Sequence, residues 1–479
     1  MAKTYVKNKK SLPLSETFHN IASTITAIFV FVLLVVFPLY THDMYFDILG
    51  ARYVFFKITV AILMVLLLIV GIIYFIVDSR SGLHEKPTVI RFVEALKIEN
   101  LHKYVNWCDV FFLLMIVSMT IGTLGAHKIR TFDLLTEAFY GNAGRYQGLE
   151  CWIMYLVLYV CISRTYRFKK WHLDFALITC VLASLWSITD FYMMDIFGFL
   201  RNVSELQKHQ FSSSVGNLNT LTNYTCMGFG VALTLFVLEE NIWKTIFYVI
   251  CSVICLCGNI FGMSDNAAIG TAVVYVCIPF FAVKYRREFI RYIFAIAILF
   301  LGLNIGYIGS NLPNAAGGWS LNSVLFDMSK ISALRYLFFV FLIIGIALIV
   351  LYRKKKLTNE QMVLYTSPYD VPVYKHFGKI WSGLVIFGFL FVVYVFIDVN
   401  ILHIFNDQIL NILSPVRNFL TFDDNWGTHR GHNWRIAFSN FARFNPFHKI
   451  FGYGADTYLV ITERTFYEEM VNRYGEVYD

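Results

Sequence analysis

Apolar runs of about twenty residues recur along almost the whole chain, and that is the length a helix needs to cross the hydrocarbon core of a bilayer. Eleven such runs centre on residues 21–39, 54–77, 107–124, 149–163, 174–195, 218–238, 245–263, 267–283, 292–308, 336–352 and 380–402. They are continuous, without the alternation of a membrane β-barrel strand. Composition agrees: 57% of the 479 residues are hydrophobic and only 15% charged, where a soluble domain carries about a quarter charged residues. The reading is an all-α, polytopic integral membrane protein with about 11 transmembrane helices. Disordered, fibrous, disulfide-rich secreted and ordinary cytosolic classes are excluded.

The net charge of +8 sits at the ends of the apolar runs and not on one face, so it predicts membrane topology and no nucleic-acid partner. Segments 1–20, 78–106, 164–172, 239–244, 284–291 and 353–379 hold 24 Lys and Arg residues, against eight in the alternate segments before the C-terminal tail. That asymmetry predicts an N-terminus inside. Lys3, Lys7, Lys9 and Lys10 precede an apolar run too long for a signal-peptide core, which reads as a retained anchor. Arg353–Lys356 reads as another topology anchor. The nine cysteines lie within or at the ends of apolar segments, so neither a disulfide framework nor a zinc site is expected, and Cys255 and Cys257 read as packing residues.

An odd number of spans leaves residues 403–479 outside, dividing the chain into a helical bundle (1–402) and a large external loop (403–479). In that loop Trp434, Phe438 and Phe441 recur at helical spacing, with Arg435 and Arg443 off the stripe. Pro446 is expected to end this amphipathic helix, and Gly452-Tyr453-Gly454 to supply a turn. A second helix would carry Leu459, Phe466 and Met470 on one side. Two helices lying against a membrane domain suit an active-site cover.

Charged residues inside the spans are few: Lys57, Asp190 and Asp398, all near span ends, read as snorkelling or solvated. The external loops hold more. Tyr140–Leu149 is a glycine-rich turn that puts Arg145 at a helix start, where a guanidinium and free N–H groups suit phosphate; an ordinary interfacial arginine is the alternative. Phe211–Asn219 offers small residues and two asparagines, Asn217 and Asn219, which either approach a polar ligand or cap the following helix. Thr428–Arg435 clusters His429, Arg430, His432, Trp434 and Arg435: two arginines to clamp a diphosphate and a histidine to act as general base. No local carboxylate or cysteine completes a metal site, so neither metal nor cofactor is expected. Gly452-Tyr453-Gly454 lacks the βαβ context of a dinucleotide fingerprint.

In order, these segments resemble the O-antigen ligase and O-antigen polymerase superfamily of bacterial membrane glycosyltransferases. Gly144-Arg145-Tyr146-Gln147-Gly148-Leu149 is similar to the family's "GRYxGL" at a helix start. Val215-Gly216-Asn217-Leu218-Asn219 is similar to its "FGNPN", with Val215 and Leu218 departing from it. Arg430-Gly431 through Trp434, Ala437, Pro446 and Gly452-Tyr453-Gly454 resembles its "RG…W…A…P…GxG" run. The resemblance covers about residues 140–460. It implies transfer or polymerisation of undecaprenyl-diphosphate-linked glycan units at the outer face of the cytoplasmic membrane, without metal. Arg145, Arg430 and Arg435 would hold the diphosphate, and the acceptor would be a glycan, a lipid or a protein.

Two departures stand against it. An "SRG" after the seventh span is replaced by Met263-Ser264-Asp265-Asn266, and the family's "HN" motif with the proposed catalytic histidine would begin where the chain stops at Asp479. The expectation is a chain lacking the C-terminal end, with His429 and His432 as stand-in catalytic histidines. The competing readings are a lipid-linked oligosaccharide flippase or polysaccharide transporter, which should line its midplane with cations, and a non-catalytic scaffold of a glycan-assembly complex.

Overall fold

The computed structural model describes residues 14–81, 86–126, 132–142, 144–205, 207–315, 323–355, 357–373, 376–404 and 420–474; within its helices a few side chains, His429 among them, lie outside the described residues. Among the described residues the fold is all-α apart from one two-residue antiparallel pair, β1 (Phe211–Ser212) with β2 (Gly216–Asn217). Nine helices among the described residues are long and apolar enough to cross a membrane: Leu14–Leu39, Ile48–Ser81, Trp107–Gly125, Lys170–Phe191, Leu218–Leu238, Ile242–Phe261, Arg286–Ser310, Ser332–Lys354 and Phe377–Leu402. The protein is therefore a multi-pass membrane protein. The expected spans at 149–163 and 267–283 are helices Leu149–Thr165 and Asn266–Ala282, of 17 residues each, about 26 Å long at 1.5 Å per residue.

The chain divides into two compact units, one of residues 1–37, 47–170 and 433–479, the other of residues 38–46 and 171–432. In the first, α1 (Leu14–Phe31) and α2 (Ile48–Ser81) pack on each other and on α7 (Leu149–Thr165), with α3 (Thr88–Leu96) and α4 (Ile98–Leu101) after α2. Thr26 and Thr165 hydroxyls meet at 2.6 Å between α1 and α7. α5 (Trp107–Ala126) opens with reciprocal capping: the Asp109 N–H donates to Asn106 Oδ1 at 3.0 Å, and the Asn106 N–H to Asp109 Oδ2 at 2.7 Å. Asp109 also accepts from Tyr159 at 2.8 Å and Arg164 at 2.5 Å on α7. A short helix α6 (Phe132–Tyr140) leads from α5 into the turn before α7.

The second unit is built on α8 (Lys170–Phe191), α9 (Leu218–Leu238), α10 (Ile242–Phe261), α11 (Asn266–Ala282) and α12 (Arg286–Ser310), followed by α13 (Val324–Lys330), α14 (Ser332–Lys354), α15 (Asn359–Leu364) and α16 (Phe377–Ile397). Its core centres on Phe229, Leu233, Tyr248, Leu256, Ile260 and Leu303. Cys180, Cys226, Cys251, Cys255 and Cys257 are free thiols in that core, in keeping with a packing role.

Two expectations about charge are corrected. Asp190 and Asp398 are buried. Each is satisfied by the protein itself: Asp190 Oδ2 accepts the Ser213 N–H at 2.7 Å and the Ser212 hydroxyl at 3.3 Å, and Asp398 Oδ1 accepts the Ile404 N–H at 3.1 Å. A carboxylate near a span end can be solvated by backbone N–H groups as well as by water. Lys57 forms an ion pair with Glu150 of α7 and does not simply snorkel.

Candidate functional site

The turn between α6 and α7 has a conformation that only particular residues allow. Gly141 sits at φ +91°, and a Cβ there would come within 2.5 Å of the Gln147 amide nitrogen, so any side chain would force the turn open. The turn then reverses at Tyr146 (φ +55°), whose ring stacks on Tyr53 of α2 with centroids 4.9 Å apart and planes 9° from parallel. The Tyr53 hydroxyl donates to Glu150 at 2.5 Å, and Lys57 pairs with the same carboxylate. Glu150 lies in the first turn of α7, where a negative charge complements the helix dipole. Arg145, at the tip, is exposed.

A second segment, more than three hundred residues later, holds this turn from its other side. Asp456 Oδ2 accepts the Asn142 N–H at 2.7 Å and the Gln147 N–H at 3.3 Å. Asp456 follows the turn Gly452-Tyr453-Gly454, which is anchored by α18 (Pro446–Phe451) packing on α5. That packing needs Gly122, because a Cβ there would lie 2.5 Å from the Phe451 carbonyl oxygen. His448 stacks on Tyr453 at 3.8 Å, and its Nδ1 lies 2.8 Å from the Gly452 carbonyl. Burial raises the Tyr453 phenol above its ordinary pKa.

α17 (Trp426–Arg443) and α19 (Tyr458–Tyr474) flank this turn in sequence. Phe438, Phe441, Phe444, Tyr453, Tyr458 and Ile461 line an open groove of about 570 Å³ that also includes Asp456. One carboxylate thus belongs both to an aromatic groove and to the turn that carries Arg145. Arg435 on α17 pairs with Glu469 on α19 at 2.6 Å, and Arg443 stands over the Phe466 ring at 4.9 Å, where α19 is kinked. α17 ends at Arg443, and Pro446 is the first residue of α18, not the terminator of α17: its missing N–H is costless at a helix start.

The face of α17 that is buried is not the aromatic stripe. His432 and Ile436 are fully buried and Asn440 nearly so, whereas Trp434, Phe438 and Phe441 are about half exposed or more. Periodicity identifies an apolar stripe without saying what covers it. The His429 side chain lies outside the described residues. Arg430 is exposed.

Asn217 caps α9, accepting the Asn219 N–H at 2.9 Å, while Asn219 Oδ1 accepts the Ser264 hydroxyl at 2.7 Å. Ser212, Ser213 and Ser214 are buried, with Ser213 Oγ donating to the Ala183 carbonyl at 2.8 Å and Ser214 Oγ to that of Pro38 at 2.7 Å. This loop is thus an internal fastening and not an open polar surface. Beside it, Asp190, Lys208, His209 and Ser212 line a cavity of about 30 Å³, room for roughly one water molecule. Among the described residues, no group of three or more His, Cys, Asp or Glu is placed to hold a metal ion.

Of the residues singled out from the sequence, Arg145 and Arg435 belong to the first unit, and Asn217, Asn219, Arg430 and His432 to the second. Reading the sequence missed Asp456, Glu150 and Glu469. Asp456 gave one faint signal, its place two residues after a Gly-Tyr-Gly turn. No family model, curated protein or solved structure matches the chain.

Proposed function

We propose that the chain is a membrane glycosyltransferase of the O-antigen ligase and polymerase type, acting on undecaprenyl-diphosphate-linked glycan at the outer face of the bacterial cytoplasmic membrane. The observation that carries the reading is the pair of hydrogen bonds to Asp456. They join the two stretches that resemble family motifs, the Gly144–Leu149 turn and the Gly452–Gly454 turn, and present an exposed arginine next to an aromatic groove. In this reading the N-terminus is inside, eleven helices cross the membrane, and residues 403–479 are outside.

In such a transfer, an acceptor hydroxyl attacks the anomeric carbon, the bond from that carbon to the diphosphate oxygen breaks, and the hydroxyl proton passes to a base. Negative charge grows on the leaving diphosphate, and a fixed guanidinium there lowers the barrier. Arg145 meets that need: its turn is held on one side by Tyr53 and on the other by Asp456, so little ordering remains to be done when the anion arrives. The sequence offers Arg430 and Arg435 as further diphosphate ligands, and Arg435 is partnered by Glu469. The sequence offers His429 and His432 as candidates for that base.

Arg145→Ala and Arg435→Ala are expected to abolish glycan chain growth in cells at unchanged membrane abundance, and Arg145→Lys to leave a small residue of it, because an ammonium lacks the bidentate fork. Both alanine variants retaining full chain growth would overturn the assignment in favour of a flippase or a scaffold.

A further inference from the structure

The segment after α2 shows a surface that membrane transit does not use. α3 is a nine-residue helix, Thr88–Leu96. Val89 (54% exposed), Ile90 (47%), Phe92 (60%) and Val93 (53%) occupy one arc of it. Arg91 and Glu94 lie across the helix from Val89, Phe92 and Val93, with Ile90 at the edge of the apolar arc beside Glu94. Four large apolar side chains side by side on so short a helix form a patch that water alone would not cover cheaply.

The polar face is tied down. Arg91 forms an ion pair with Asp78 in the last turn of α2, and Thr88 Oγ1 donates to the same carboxylate at 2.8 Å. Asp78 is 2% exposed, so the pair is sheltered and fixes which way the helix faces. It also fixes depth. The outward apolar surface of α2 runs through Ile72, Ile73, Ile76 and Val77, stopping one residue before Asp78. α3 is therefore pinned at the level where the lipid-facing surface of α2 ends, with its own apolar arc turned away from the pair.

We propose that α3 is an interfacial helix, its Val89–Phe92–Val93 face sunk into the headgroup–acyl boundary of the bilayer that α2 crosses. Lipid of that leaflet is the occupant, because the patch sits at the depth where the lipid-facing surface of α2 ends. Charge does not carry the association: Arg91 is engaged with Asp78, and Lys86 with Glu94 at 2.8 Å. Burial of the apolar arc does, so zwitterionic lipid suffices.

The test places a photoreactive benzoylphenylalanine at position 92 of the full chain in phosphatidylcholine nanodiscs, with position 94 as the opposite-face control and position 89 as a second probe should the first disturb folding. Mass spectrometry after irradiation is expected to find lipid acyl adducts at 92 and 89, at least tenfold above those at 94. Cross-links from 92 and 89 to protein, whether a second copy or another segment of the chain, would overturn the proposal. So would equal lipid labelling at 92 and 94, or no adduct at either 92 or 89.

Discussion

Asp456 does the work of two residues with one oxygen. Its Oδ2 accepts from Asn142 and Gln147, amides that otherwise face inward across a turn with positive φ at Gly141, Gly144 and Tyr146. The Asn142 bond is partly buried and the Gln147 bond exposed, so removing the acceptor costs about 1–3 kcal/mol for the Asn142 N–H and less for the Gln147 N–H, which water can reach. Asp456→Ala is therefore expected to loosen residues 141–148 without unfolding the helices. Hydrogen exchange in detergent should quicken at least tenfold in that turn while α2 and α5 keep their protection. Asp456→Asn retains an acceptor oxygen and should fall between the two. Unchanged exchange in the alanine variant would show that the Tyr146–Tyr53 stack alone holds the turn. Lys57 and Glu150 illustrate the same economy: a lysine inside a span is tolerated because a carboxylate on the neighbouring helix meets it.

At the scale of the element, α17 separates two properties that usually coincide. Its apolar stripe is Trp434, Phe438 and Phe441, and its buried face is His432, Ile436 and Asn440, half a turn away. Helical phase explains why both can exist on eighteen residues, since positions four apart share a face and positions two apart do not. Stability should follow burial. Ile436→Ala is expected to cost about 2–4 kcal/mol, the range for a fully buried large aliphatic residue, and to lower the melting temperature in detergent by several degrees. Phe438→Ala should change stability by no more than about 0.5 kcal/mol. A larger loss for Phe438 than for Ile436 in thermal-shift measurements would contradict this assignment of faces. α3 shows the reverse arrangement, with its polar face held and its apolar face offered.

For the whole molecule, the described residues after Ile404 divide between the two units, 433–474 in the first and 420–432 in the second. A topology test bears on the proposed orientation. An epitope inserted after Asn425 is expected to bind antibody on intact spheroplasts, and one inserted after Leu357 only after permeabilisation. The opposite pattern would reverse the inside and outside faces and remove Arg145 from the side where lipid-linked glycan is used.

The sequence by itself determined the class of the fold. Apolar runs of bilayer length need no partner to be recognised, because a helix satisfies its own backbone and lipid does not select among apolar side chains. All eleven expected runs are helices, and the Asn217 cap was legible because capping is a local matter of a few bonds. The two turns around Arg145 and Tyr453 were legible as well, through their glycines. What only the tertiary structure decided is which distant residues meet: Asp456 with Asn142, Lys57 with Glu150, and Arg91 with Asp78. It also decided which face of α17 is covered and that Asp190 and Asp398 are buried. These outcomes depend on the three-dimensional approach of segments up to 314 residues apart. A carboxylate in a loop looks the same in sequence whether it faces water or receives two amides.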